Sequence, residues 1–267
     1  LLGGHKGRVF NLVFKGDVQA SQAKALRREI TAVISNAKAG DQVVLELDSG
    51  GGTVTGYGFA AAQLERLKAA GLPLTICVTE VAASGGYMMA CTADRLVAGP
   101  LAILGSIGVI TDIPNVYERL KKEGVVFNTV TAGKYKRQLT PTKQTTDKDL
   151  AKTKQDLEDI LTLFKGFVKR NRPKLDIDDV ATGEIWFGPD ALEKKLCDEL
   201  ATVDEVLMGL VQDGHDVFQV TTSAARPTFI DDLGLELDDD ATARAGSNYL
   251  RAAASAAATA AGAAAGR

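Results

Sequence analysis

Histidine and cysteine are scarce in this chain of 267 residues, which contains two histidines and three cysteines. His5 lies in a polar N-terminal stretch and His215 in a turn-like sequence, so neither is well placed as a general base and metal chemistry is not expected. Cys77, Cys91 and Cys197 lie far apart and form no CxxC pair. Their spacing argues against a disulfide framework or a zinc site and favours reduced core residues.

The chain also lacks an excess of basic residues and any long apolar run. Its formal net charge is −3 and its pI is about 5.6, so no nucleic-acid partner is expected. No stretch approaches the roughly 18 apolar residues that a membrane helix requires. The sequence begins with leucine rather than methionine, and we expect a fragment or a processed form with no targeting segment in the printed chain.

Short apolar runs alternate with amphipathic stretches over most of the sequence. The pattern predicts strands at 8–14, 42–47, 74–78, 95–98 and 125–131, and helices at 21–37, 58–70, 87–93, 113–122 and 146–170. This alternation favours an α/β fold with crossover units around a largely parallel sheet.

The composition changes near both ends of the chain. We expect a disordered N-terminal stretch over residues 1–7 and one folded domain over residues 8–220. Residues 221–267, which are first acidic and then rich in alanine, are predicted to form a flexible tail.

The most informative stretch is the predicted strand-to-helix corner around Ser84. Small residues surround this serine in the sequence Val-Ala-Ala-Ser-Gly-Gly at 81–86, so little bulk shields its hydroxyl. A helix N-terminus presents free backbone N–H groups that stabilise a developing oxyanion. The plainer interpretation is that Ser84 is only an N-cap in a glycine-rich turn.

A second glycine-rich corner follows the predicted strand at 42–47. Gly50, Gly51 and Gly52 stand where a backbone N–H could face that of Gly85, which would give an oxyanion hole with two donors. The carboxyl ends of parallel strands lie at the same edge of a sheet, so the two corners are expected to lie close together. Taken alone, a glycine triplet is more often a simple turn or a phosphate cradle.

A lysine is the remaining candidate for a general base, because histidine is so scarce. Lys134 and Lys136 flank Tyr135 in a loop, and either fits the role if burial favours its neutral form. Their spacing does not distinguish them, since residues two apart on a strand share a face. A nearby hydroxyl such as that of Ser106 would orient the neutral amine. A basic cluster of this kind is otherwise a solvated surface patch.

Four sequence blocks match those of a known family and occur in the same order, and the block around Ser84 is highly specific for that family. They are VAASGGY at 81–87, GSIGV at 105–109, TAGKYKR at 131–137, and ATGE at 181–184 ahead of Trp186. Together they resemble the SohB branch of the signal peptide peptidase A (protease IV) family. The likeness runs from about Arg8 to Val206, and the tail shows none.

This resemblance implies a ClpP/crotonase-like α/β fold, with a parallel sheet of ββα-type units and flanking helices. It also implies a serine endopeptidase with a Ser–Lys dyad that requires no cofactor. By motif, Ser84 matches the nucleophile and Lys136 matches the general base. Ser106 matches the hydroxyl that hydrogen-bonds the lysine.

The resemblance extends to the oxyanion hole, the substrates and the assembly. Gly51 or Gly52, together with Gly85, matches the oxyanion hole. The family cleaves hydrophobic peptides, including remnant signal peptides, at the extracytoplasmic side of the inner or plasma membrane, to which an N-terminal anchor holds most members. The resemblance also implies an assembly, because short members of this family form homo-oligomeric rings. In these rings a serine and a lysine from neighbouring subunits complete the dyad. The same partners and location are expected here, with an anchor that is absent from this chain.

Two departures from the family pattern bear on activity and strain. The family has Ser-Pro-Gly-Gly where this chain has Ser49-Gly50-Gly51-Gly52, and losing the fixed φ of proline would loosen the loop and lower activity. Lys195 stands where the family has glycine, which predicts mild strain if φ is positive there.

Two alternative functions stay open. A crotonase-like enzyme acting on acyl-CoA would use the same pair of amides, but it would need a catalytic carboxylate and would bind coenzyme A. A catalytically weak or inactive family member would act as an oligomeric scaffold. Affinity for coenzyme A, or failure to react with a serine-directed probe, would separate these alternatives from the peptidase.

Overall fold

The structure, a computed structural model, describes residues 6–222. Its strands are β1 (Arg8–Gly16), β2 (Gln42–Ser49), β3 (Leu74–Ala83), β4 (Arg95–Ala98), β5 (Ile103–Gly105), β6 (Ile185–Phe187), β7 (Glu199–Leu200) and β8 (Asp216–Gln219). Its helices are α1 (Ala23–Asn36), α2 (Val54–Ala69), α3 (Gly85–Ala90), α4 (Tyr117–Lys122), α5 (Asp147–Asn171), α6 (Ile177–Val180), α7 (Gly188–Glu193) and α8 (Val203–Gln212). None of these helices is long and apolar enough to span a membrane.

The strands form one mixed sheet in the order β6-β5-β3-β2-β1-β8. All of its pairs are parallel except β5–β6, which is antiparallel. The long strand β3 divides the sheet, because residues 75–78 pair with β4 and residues 81–83 pair with β5. β7 extends the branch that begins at β4. The predicted α/β architecture with a mostly parallel sheet and flanking helices is confirmed.

Helices cover the sheet because their apolar residues recur on one face. In α1, Leu26, Ile30 and Val33 are spaced by three or four residues and are buried against the sheet. That spacing places the three side chains on a single helical stripe. The same cluster holds residues of α2, α3, α5 and the central strands.

The opposite face of the sheet carries a smaller cluster. Val206 of α8 packs there with four buried residues of the central strands: Val9, Val44, Cys77 and Val97. Burial raises the pKa of the Cys77 thiol to about 12 and that of Cys197 to about 11. The three cysteines are buried and free of disulfides, as the sequence predicted.

Several local predictions differ from the structure. Residues 125–131, predicted as a strand, are exposed and have no strand partner within residues 6–222. The helix predicted from Ile113 begins only at Tyr117. Pro114 disfavours a helical conformation at Ile113, and Asn115 forms a local turn in which its Oδ1 accepts the Tyr117 N–H at 3.0 Å. Lys195 does have a positive φ of 63°, as expected where the family has glycine.

The predicted domain boundaries stay predictions. Residues 1–5 and 223–267, which include most of the predicted N-terminal stretch and tail, lie outside the described residues.

Candidate active site

Three corners meet at the carboxyl edge of the sheet. Ser49, the last residue of β2, pairs with Ala82 of β3, and Ala83 pairs with Gly105 of β5. The glycine loop at 50–52, Ser84 and Ser106 therefore follow directly after neighbouring strands, which lie about 4.8 Å apart in a sheet. The structure thus brings together every predicted site residue except the lysine.

Ser84 occupies a strained position between β3 and α3. Its φ and ψ are 52° and −118°, a region that residues with a side chain rarely adopt. The corner is held by hydrogen bonds from the Ser84 N–H to the Gly105 carbonyl (2.9 Å) and from the Met88 N–H to the Ser84 carbonyl (3.0 Å). The Ser84 hydroxyl makes no capping bond to α3. Ser84 therefore stands at the N-cap position without capping the helix through its side chain, and its half-buried hydroxyl makes no hydrogen bond within residues 6–222.

Glycine is required opposite Ser84 because the two corners approach so closely. Gly51 has φ +88°, and a Cβ there would lie 2.6 Å from both the Ala83 carbonyl oxygen and the Gly85 nitrogen. A Cβ on Gly85 would lie 2.4 Å from Cγ of Tyr57. Side chains at either position would push the corners apart.

The backbone N–H groups of the two corners differ in their partners. The Gly51 N–H donates to the Ser49 hydroxyl at 3.1 Å. The N–H groups of Gly52 and Gly85 have no acceptor among residues 6–222. Of the predicted oxyanion donors, Gly52 and Gly85 are thus the two whose N–H groups are free.

Ser106 mirrors Ser84 at the end of the neighbouring strand. Its φ is also positive, at 49°, and its N–H donates to the Glu184 carbonyl at 2.6 Å. Gly105 lies against the indole of Trp186, since a Cβ there would be 2.7 Å from the ring. The ATGE and Trp186 block therefore supports the Ser106 turn, and the Ser106 hydroxyl is free of hydrogen bonds within the described chain.

Lys136 lies on an exposed turn and makes no hydrogen bond to Ser84 or Ser106 within residues 6–222. Its N–H donates to the Gly133 carbonyl at 3.1 Å, and no described residue provides a partner for its amine. Lys134, by contrast, is placed over the Tyr135 ring, with Nζ 5.0 Å from the centroid. Hydrogen bonding to Lys134 lowers the pKa of Tyr135. Sequence spacing did not distinguish Lys134 from Lys136, but the two side chains have different surroundings in the structure.

Sequence reasoning missed two buried residues beside the glycine loop. Ser49 and Tyr57 are 2% and 0% exposed, and their hydroxyls are hydrogen-bonded to each other. The only available signal was the position of Ser49 directly before the glycine triplet. Within residues 6–222, no group of three or more His, Cys, Asp or Glu side chains is arranged to hold a metal ion.

The fold and these corners define an α/β protein whose candidate site lies at the carboxyl edge of a parallel sheet. Residues 66–216 match peptidase family S49, and residues 3–64 match the N-terminal region of the same family. The chain therefore belongs to peptidase family S49. Members of this family have a ClpP/crotonase-like fold, so the predicted fold and the family resemblance are both confirmed.

Named relatives agree with this assignment. A probable protease SohB from Haemophilus influenzae is 51% identical over 203 residues, which cover 76% of this chain and 58% of that protein. A probable protease SohB from Buchnera aphidicola is 48% identical over 213 residues, covering 80% and 63%. Protease 4 of Haemophilus influenzae is 31% identical over 172 residues, covering 62% and 27%. The chain thus spans about three fifths of the length of the two SohB relatives.

Proposed function

We propose that this chain is a serine endopeptidase with a Ser84–Lys136 dyad. The observation that carries the proposal is the Ser84 corner, where a strained serine packs against Gly51 of the glycine loop. Within residues 6–222 its hydroxyl and the N–H groups of Gly52 and Gly85 make no hydrogen bond. Strain of this kind is stored at functional sites, where it exposes a nucleophile at a strand-to-helix turn. Membership of peptidase family S49 supports peptide bonds as the substrate.

The proposed cycle uses only side chains and backbone amides of this protein. Neutral Lys136 removes the proton from Ser84 as the serine oxygen attacks the peptide carbonyl carbon. The amides of Gly85 and Gly52 stabilise the resulting oxyanion, since the Gly51 N–H is bonded to Ser49. The protonated lysine then donates its proton to the leaving amine. Water hydrolyses the acyl-enzyme in a second round, with Lys136 again acting as the base.

We assign Lys136 to the active site of a neighbouring subunit. The amine has no partner among residues 6–222, and the surrounding segment exposes unusually many apolar side chains for a surface loop: Ile110, Ile113, Val116, Val125, Val126, Phe127, Val130 and Tyr135. An exposed apolar patch of this kind is typical of a protein interface. Burial in that interface would favour the neutral form of the amine that a general base needs. Ser106 then orients the amine through its free hydroxyl.

The substrates we propose are hydrophobic peptides, such as remnant signal peptides, met at or near a membrane. The proposal includes a homo-oligomeric ring and a membrane location on the extracytoplasmic side. Both are proposed from the likeness to the signal peptide peptidase A family. Both concern a whole protein of that family, and this chain matches about three fifths of the length of its SohB relatives.

The test is labelling with a fluorophosphonate probe between about pH 6 and pH 10, the range over which a lysine base would change protonation state. Wild type should label, Ser84→Ala should not, and Lys136→Ala should label roughly a hundredfold or more slowly, as expected for loss of a general base. Lys134→Ala is the matched control and should label like wild type. A folded, assembled wild type that does not label would favour the inactive scaffold. Loss of labelling in Lys134→Ala but not in Lys136→Ala would assign the role of general base to Lys134 instead of Lys136.

A further inference from the structure

Tyr57 connects the two corners that carry the proposed oxyanion donors. It lies in the first turns of α2 and is 0% exposed. Its hydroxyl donates to the Asp17 carbonyl at 2.7 Å and is hydrogen-bonded to Ser49 Oγ. Burial raises the pKa of Tyr57, so the hydroxyl keeps its proton and acts as a donor.

The Ser49 hydroxyl has two further partners besides the glycine loop. It shares a hydrogen bond with Tyr57 Oη, in which either hydroxyl is able to donate, and it donates to the Gly16 carbonyl at 3.3 Å. A lone pair of Ser49 Oγ accepts the Gly51 N–H at 3.1 Å. A buried chain of three hydrogen bonds therefore runs from the glycine loop through Ser49 and Tyr57 to the end of β1.

The ring of Tyr57 reaches the second corner directly. It packs so closely on Gly85 that a Cβ there would lie 2.4 Å from Cγ and 2.6 Å from Cδ2 of the ring. The ring is itself held edge-on by Phe14, with centroids 6.3 Å apart. One side chain thus sets the position of the glycine loop through its hydroxyl and the position of Gly85 through its ring.

We propose that Tyr57 and Ser49 are positioning residues for the oxyanion hole. By occupying the Gly51 N–H, Ser49 fixes the loop in the conformation that leaves the Gly52 N–H free, while Tyr57 holds the Gly85 N–H at a set distance from it. This chain of bonds restrains a loop in which Gly50 provides no fixed φ. The inference rests on the proposed function, because it concerns amides that act only if Ser84 is a nucleophile.

Peptide hydrolysis by single variants tests this assignment. Tyr57→Phe keeps the ring and removes the hydroxyl, and Ser49→Ala removes one oxygen and leaves the ring packing in place. Each should lower kcat by roughly tenfold to a hundredfold with KM little changed, since an oxyanion hole acts on the transition state. The double variant should be little worse than the poorer single variant, because both changes break the same chain.

Tyr87→Phe is the matched control. Tyr87 is also 0% exposed, and its hydroxyl donates to the Leu196 carbonyl at 2.9 Å, away from the glycine loop. This variant should lose stability to a similar degree but keep the wild-type kcat. Thermal unfolding of every variant separates a loss of folded protein from a loss of turnover.

Failure of the inference and failure of the proposed function give different results. If wild type does not cleave peptides, or if Ser84→Ala cleaves as fast, the proposed function is wrong and the inference falls with it. If wild type depends on Ser84 but Tyr57→Phe and Ser49→Ala keep the kcat of Tyr87→Phe, only the positioning role is overturned. If Tyr57→Phe does not fold, Ser49→Ala alone decides the outcome.

Discussion

Gly50 and Gly51 are adjacent residues at the carboxyl edge of the sheet, but different constraints act on them. A Cβ at Gly50 would have no atom within 4 Å, and its φ lies outside the left-handed region. The Gly50 N–H has no acceptor among residues 6–222, and Ser49 before it is extended, as a residue before proline must be. We expect Gly50→Pro to raise the free energy of unfolding by about 0.4 to 1 kcal/mol, because it restricts the unfolded chain. Urea denaturation measures this gain, and peptidase activity should be kept or raised.

Gly51→Ala provides the contrast to that substitution. The φ of +88° and the clash with the Ala83 carbonyl should lower the free energy of unfolding by about 1 kcal/mol or more. The same clash should slow turnover by displacing the Ser84 corner. A loss of stability in Gly50→Pro comparable to that in Gly51→Ala would show that the backbone at Gly50 does not suit proline.

At the scale of single residues, the sequence predicted the positions that motifs mark and missed those that packing creates. Ser84, Ser106 and the glycines were predicted, and the register of adjacent parallel strands brings them together. Tyr57 was not singled out, because its bond to Ser49 joins the end of a strand to a helix and leaves no periodic pattern. The position of Lys136 relative to Ser84 was equally hidden, and in the function proposed above it depends on a neighbouring subunit.

Among the secondary-structure elements, α5 depends on an ion pair at its C-terminal end. Arg172 follows the last residue of the helix, and its side chain is only 11% exposed. It donates twice to Asp198 at 2.8 Å and once to the Lys195 carbonyl at 3.0 Å. We expect Arg172→Ala to cost about 2 kcal/mol, below the range for fully buried pairs because Asp198 is 41% exposed. Urea denaturation measures this loss.

Arg170→Ala is the control for the same helix. Arg170 is 64% exposed and lies 3.4 Å from Glu65, so its removal should change the free energy of unfolding by less than about 0.5 kcal/mol. Equal losses in the two variants would mean that burial does not set the strength of these pairs.

The elements that the sequence predicted well are those with their own periodic pattern. α1, α2, α5 and the first four strands have apolar residues at helical or strand spacing. The strands β5, β6 and β7 have only two or three residues each, too few for a pattern to emerge. The apolar run at 125–131 suggested a strand, but no strand within residues 6–222 pairs with it. Composition alone does not reveal whether a pairing partner exists.

For the whole molecule, two carboxylates predict how stability depends on pH. Hydrogen bonding to Arg8 lowers the pKa of Asp41 from 3.8 to about 2, and Lys143 does the same for Asp149. Because the pKa values of the folded state lie below those of the unfolded chain, this stabilisation is complete above about pH 4. It is lost as the pH falls toward 2, since only the unfolded chain takes up protons in that window.

Thermal unfolding between neutral pH and pH 2 measures this dependence. Tm should fall most steeply below about pH 4. Asp41→Asn should start with a lower Tm and lose less of it across the acid range, because it lacks one of the two groups. Parallel curves for wild type and variant would show that the bond from Arg8 to Asp41 does not account for acid sensitivity.

The most direct test of the Ser84–Lys136 dyad between subunits is complementation. Ser84→Ala and Lys136→Ala chains are purified separately, unfolded, refolded together in equal amounts, and assayed for peptide hydrolysis. Each variant alone should be inactive, and the mixture should recover about a quarter of wild-type activity, because random assembly pairs an intact serine with an intact lysine at one interface in four. A mixture that co-assembles but stays inactive, while wild type treated identically is active, would contradict a dyad shared between subunits.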